Sequence, residues 1–161
     1  MDNGKSEYVN TPIPDNYELK WHKFLVYFAL WAGGILNIIN GARYMTGMVY
    51  GSDAKAVYNY FSGLKTLDVV MGLLCIALGV YAIIVRFQLA GFKTGAPKKL
   101  VSLYLISAAI NLVYVLAASG VTGLSLSDLM DGSFFGNVIG SIAYALINKN
   151  YYDKRAALFV N

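Results

Sequence analysis

Three asparagines, Asn37, Asn111 and Asn137, stand inside runs of otherwise apolar residues, and Arg43 and Asp68 stand at the edges of two such runs. A carboxamide offers two N–H donors and one carbonyl acceptor and keeps the same charge at every pH. The chemistry open to the set is therefore hydrogen bonding. The amides either tie helices together, at roughly 0.6–2 kcal/mol each, or line an outward-opening hydrated pocket for a small polar ligand or ion. Arg43 and Asp68, the ionisable members, are expected to top the cluster as an ion pair or a solvated pair. Acid–base catalysis has no visible home. His22 is the one histidine and reads as an interfacial anchor between Trp21 and Lys23, while Cys75 is the one cysteine and reads as a small buried apolar residue. No Ser-His-Asp, HExxH, GxGxxG or P-loop spacing occurs. The expectation is a protein that is not an enzyme, with no cofactor and no metal.

The elements that position these residues are four apolar segments, at about 24–42, 67–85, 100–118 and 126–148. Each is close to the twenty or so residues that cross a bilayer as a helix. The chain is 57% hydrophobic and 14% charged, with a mean hydropathy of +0.52, so too little polar sequence is left for a separate soluble domain. The fold class predicted is an all-α membrane protein, a four-helix transmembrane bundle with a short interfacial helix in the first external loop. Residues 1–20 read as a disordered cytoplasmic tail and 151–161 as a short cytoplasmic one, flanking a membrane domain over 21–150. The first segment is too long for a signal-peptide core and lacks a small-x-small exit, so it is read as a retained span.

Charge gives the orientation. With the N-terminus cytoplasmic, the inside collects Lys5, Lys20, Lys23, Arg86, Lys93, Lys98, Lys99, Lys149, Lys154 and Arg155, and the outside collects Arg43, Lys55 and Lys65. Ten against three places both termini in the cytoplasm of a plasma membrane. The net charge of +4 is scattered beside apolar segments, which argues against nucleic acid as a partner. Arg86, Lys93, Lys98 and Lys99 form an acid-free loop suited to anionic lipid headgroups. In the first external loop, Val57, Phe61 and Leu64 at i, i+4 and i+7 predict a short helix capped near Ser52 or Asp53, with Tyr58 and Tyr60 at headgroup level.

Lipid tails give no hydrophobic drive between helices, so small residues mark the contacts. The first span carries Ala29, Gly33, Asn37 and Gly41; the second carries Asp68, Gly72, Cys75, Gly79, Ala82 and Arg86; the third, Ser107, Asn111, Tyr114 and Ala118; the fourth, Gly132, Gly136 and Gly140. Helix packing is expected at Gly33, Gly41, Gly72, Gly79, Gly136 and Gly140. The fourth span has a short apolar core from 134 to 147 and is expected to start near Leu126 behind a cap at Ser125, bending at Gly132 if anywhere.

The stretch RFQLAGFKTGAPKKL, 86–100, joining two spans beneath a Trp-bearing first span, resembles small four-span bacterial membrane proteins without an assigned function. The resemblance implies a bacterial plasma membrane and brings no site residue. The leading functional expectation is a structural or accessory membrane protein acting through helix contacts with a partner or as a homo-oligomer. An oligomeric transporter or channel built on the asparagines, and an immunity or sensor protein using the loop at 44–66, are the alternatives.

Overall fold

The computed structural model describes residues 19–161, and the secondary structure of that part is helical, without strands. Most of the expected N-terminal tail lies outside the described residues. The chain forms α1 (Lys20–Phe24), a π-helical turn (Leu25–Ala29) and α2 (Leu30–Thr46), which continue one another. A 3-10 turn (Met48–Asp53) and α3 (Ala54–Tyr60) follow, then the long helices α4 (Leu64–Ala90) and α5 (Ala96–Thr122). The short α6 (Leu126–Leu129), α7 (Gly132–Asp153) and a last 3-10 turn (Ala156–Leu158) complete it. Three stretches are long and apolar enough to cross a membrane: Lys20–Tyr60, Leu64–Ala90 and Ala96–Thr122.

Breaks between helices have local causes. Gly47 ends α2 and Gly123 ends α5, both at left-handed φ of 78° and 72°, where a side chain would be strained. The helix expected to run continuously from 126 is divided in two. Ser125 does cap its start, accepting from the Asp128 N–H, but Asp131 is extended and its carboxylate caps the Phe134 N–H at 2.8 Å. Two caps six residues apart cannot serve one helix, so α6 stops and α7 begins at Gly132. The loop helix is also shorter than its apolar spacing predicts. Phe61 leaves helical geometry, and Leu64 belongs to α4.

α2 packs on α4, α4 on α5 and α5 on α7, and no comparable interface joins α2 to α7. The α2–α4 contact is antiparallel and rests on two glycine pairs. A Cβ added at Gly41 would lie 2.5 Å from the Gly72 carbonyl oxygen, and one at Gly79 would lie 2.6 Å from that of Gly34. The pairs repeat after seven residues on both helices, the period that keeps one seam facing its partner. Gly33 is corrected by this register: a Cβ there meets nothing within 4 Å, and its neighbour Gly34 makes the approach. Gly136 and Gly140 make no such close approach within the described chain, with open space on the side where a Cβ would point. The fully buried residues of α7, Ala145, Asn148 and Tyr152, lie in its last turns, while Phe134, Val138, Gly140 and Ser141 before them are half-buried.

The apolar core gathers towards the end of the bundle that holds His22, around Leu25, Val26, Leu30, Val85, Leu89 and Leu100. At that end Trp21 Nε1 donates to Asn148 Oδ1 at 3.0 Å, and Asn148 Nδ2 donates to the Tyr144 carbonyl at 2.8 Å. His22, expected as an anchor, is buried: Nδ1 pairs with the Tyr152 hydroxyl at 3.0 Å and the ring stacks on Phe92 at 4.9 Å. The C-terminus straps across the α4–α5 turn, Thr94 N–H donating to the Asn161 carbonyl at 2.6 Å and Thr94 Oγ1 to that of Phe159 at 3.2 Å.

Candidate functional site: a polar cleft between four helices

α7 packs on α5 and forms no comparable interface with α2, and a cleft lies between the four long helices. Asn37 and Asn40 of α2, Ser107 and Asn111 of α5, and Asn137 and Ser141 of α7 line it, with Cys75 and Met71 of α4 behind. Its volume is about 160 Å³. A second hollow of about 220 Å³ shares Asn37, Ser107, Asn137 and Ser141 and extends beside Gly33 towards Tyr104. The structure thus brings the three predicted asparagines to one place and adds Asn40 and two serines.

Gly33 gains a role through this placement. It stands one turn from Asn37 on the wall of the second hollow, where the absent side chain leaves space. Asn111 Nδ2 donates to the Ser107 carbonyl at 2.9 Å, one turn back on its own helix, and its carbonyl oxygen is left for the cleft. Asn37 and Asn137 make no side-chain hydrogen bond to another described residue. Asn37 is half-buried and Asn137 exposed, so their carboxamides are open to water or a polar solute in the cleft.

Asp68 lies one turn along α4 from Met71 and is completely buried. It does not pair with Arg43. Arg43 is exposed on α2, two positions past Gly41 and so about 200° round the helix from the glycine that touches α4. Phenols hold Asp68 instead: Tyr114 donates to Oδ1 at 2.7 Å and Tyr58 to Oδ2 at 3.0 Å. The Tyr44 ring meets the Tyr114 ring edge-on at 5.5 Å, and Tyr50 meets Tyr58 the same way at 5.5 Å. Tyr44 also lines the cleft and so joins it to this tyrosine cluster.

Tyr58, expected at headgroup level, therefore ties the connection after α2 back to α4, while Tyr60 is exposed. Sequence reasoning passed over Tyr44 and Tyr50, and the signal available was a high tyrosine count, thirteen residues. Among the four residues expected to meet lipid headgroups, Lys93, Lys98 and Lys99 are exposed near the α4–α5 turn, Lys99 also donating to Gln88 Oε1 at 2.8 Å. Arg86 is turned inward. Its Nε donates to the Val26 carbonyl at 3.0 Å, inside the π-helical turn where the i→i−4 ladder is broken. Its guanidinium lies 5.2 Å from the Trp31 ring and 4.6 Å from the Phe87 ring.

Among the described residues no group of three or more His, Cys, Asp or Glu could hold a metal ion. No family model, curated protein or solved structure matches the chain. Chemically the cleft is a neutral wall of amides and hydroxyls with one buried carboxylate behind the tyrosine cluster.

Proposed function

We propose that the chain is a four-span plasma-membrane protein, with α7 as the fourth span and both termini cytoplasmic, whose central cleft takes up a small polar solute from the outer side. The observation that carries this reading is the pair Asn37 and Asn137, facing the cleft from different helices and without a side-chain hydrogen bond to another described residue. Within a bilayer such groups are costly unless water or a ligand satisfies them. The orientation rests on the basic residues, which place the His22 end inside and the Asp68 end outside. Sealing at the His22 end and a cleft in the other half fit a transporter or channel component loaded from outside. α3 then lies near the outer interface, held by Tyr58.

The test is flux into liposomes of neutral lipid, with a panel of small polar solutes and monovalent ions. Asn37→Leu and Asn111→Leu should each abolish the flux while leaving the helical signal and detergent elution unchanged. No flux of any member of the panel through the unmodified protein removes the reading.

The second reading is an accessory protein that works through helix contacts, and one observation favours it. α7 presents Gly132, Gly136 and Gly140 with nothing packed on them, a surface suited to a neighbouring helix of a partner or a second copy. Gly136→Leu should then reduce the oligomer size in detergent, and an unchanged size counts against it.

A further inference from the structure

Asp68 presents an electrostatic problem that the cleft can solve. Its carboxylate has no exposed surface. Its hydrogen-bonding partners are neutral phenols, and it forms no ion pair with another described residue. Phenolic donors satisfy lone pairs but leave the charge in place, and a buried charge without a counter-charge is unfavourable. The basic residues nearest in sequence and at this end, Arg43 on α2, Lys55 on α3 and Lys65 one turn before Asp68 on α4, are exposed and form no ion pair with it, and residues 100–148 contain no Lys, Arg or His. Asp131, capping α7 at the same end of the bundle, adds a second negative group.

From the cleft, the way to Asp68 runs past aromatic rings. Met71, one turn from Asp68, and Tyr44 both line the cleft, and Tyr44 touches Tyr114, whose hydroxyl holds Asp68. Faces of tyrosine rings attract cations, most strongly organic ammonium groups in desolvated sites. The amide and hydroxyl oxygens of Asn37, Asn111 and Ser141 would accept ammonium N–H bonds without adding charge.

We propose that the cleft takes a small organic ammonium cation, for which Tyr44 supplies the aromatic wall and Asp68, behind the Tyr44–Tyr114 contact, the counter-charge. This rests on the solute-cleft reading above and narrows its ligand to one chemical class.

The experiment is calorimetric titration of the full chain in nanodiscs of uncharged lipid. Ethylammonium chloride is compared with n-propanol, an uncharged alcohol one carbon longer, and with sodium chloride at equal ionic strength. Ethylammonium should bind at least tenfold more tightly than n-propanol, and Asp68→Asn should bring the two within about twofold. Asn37→Leu should weaken both ligands alike, since it lies on the neutral wall. Equal binding of ethylammonium and n-propanol overturns the charge assignment and leaves the cleft reading standing. Sodium chloride matching the ethylammonium signal overturns the ammonium class. Binding of neither organic probe removes the cleft reading and this proposal with it. Should Asp68→Asn fail to fold, the discrimination between charged and uncharged probes by the unmodified chain decides the matter alone.

Discussion

The helix pairs α2/α4 and α5/α7 carry the same kind of small-residue stripe and use it oppositely. In the first pair, Gly34 meets Gly79 and Gly41 meets Gly72, backbone against backbone. In the second, Gly132, Gly136 and Gly140 meet nothing, and the contact is made by larger groups nearer the His22 end. There Tyr104 and Tyr144 stack at 5.6 Å and Ala145, Asn148 and Tyr152 are buried. Glycines bring helices together only when both helices offer a small residue at the same level. α4 supplies that match to α2, whereas the glycine face of α7 meets no neighbouring helix. The consequence is local: α2 closes on α4 at both glycine pairs, α7 packs on α5 without a comparable interface to α2, and the cleft lies between them.

The largest way to break the contrast is Gly72→Leu. Its Cβ alone would lie 2.6 Å from the Gly41 carbonyl oxygen, a backbone atom that cannot swing aside, so α2 and α4 must separate. Overpacking of this kind should cost about 3 kcal/mol, read as a lower midpoint of unfolding in mixed micelles, with Gly72→Ala intermediate. A Leu variant as stable as the parent would mean the two helices do not approach this closely.

Asn148→Leu addresses the second pair. Asn148 is fully buried, accepting from Trp21 and donating to the Tyr144 carbonyl, so it joins α1 to α7 at the sealed end. Its loss should cost about 1–3 kcal/mol, because the indole N–H is left without its acceptor. Trp21 fluorescence should shift to the red as the ring is freed, and an unmoved spectrum would argue against the tie.

Which parts of this were legible in the sequence follows from what each signal encodes. Length and hydropathy encode the long helices, and the alternating spacing from Asp68 to Ala82 encodes the buried face of α4, since both are properties of one helix. The gathering of Asn37, Asn111 and Asn137 was legible as well, because counting 1.5 Å per residue along each helix places them at one depth. Pairwise features were not. Whether Gly33 or Gly34 meets α4 depends on a rotation of about 100°, which small residues at both positions leave open. Arg43 and Asp68 shared a depth and were expected to pair, yet facing is decided by the glycine register, and that turns Arg43 out. The two tyrosines holding Asp68 come from α3, in the connection after α2, and from α5, elements whose meeting with α4 no single-helix periodicity records.

A smaller effect is expected from Tyr58→Phe. The ring and its contact with Tyr50 remain, and one of the two hydroxyls on Asp68 is lost. The cost should be about 1 kcal/mol, with the connection after α2 loosened more than the helices. Hydrogen exchange at residues 48–60 should speed up while exchange in α4 and α5 stays as it was. Equal protection in the variant would show that Asp68 does not hold this segment.

The smallest expected effect is the most informative about the comparison. Gly136→Leu carries the same change as Gly72→Leu, at a position with the same spacing in its own helix, but its Cβ enters open space. Within one chain it should shift stability by no more than about 0.5 kcal/mol, and it replaces a poor helix former by a good one. If the variant is destabilised as strongly as Gly72→Leu, something in the membrane covers the glycine face of α7. Measuring the same pair of variants at two protein-to-detergent ratios identifies the cover: a loss that grows with protein concentration belongs to a second copy, and one that does not belongs to α2 closing over the cleft.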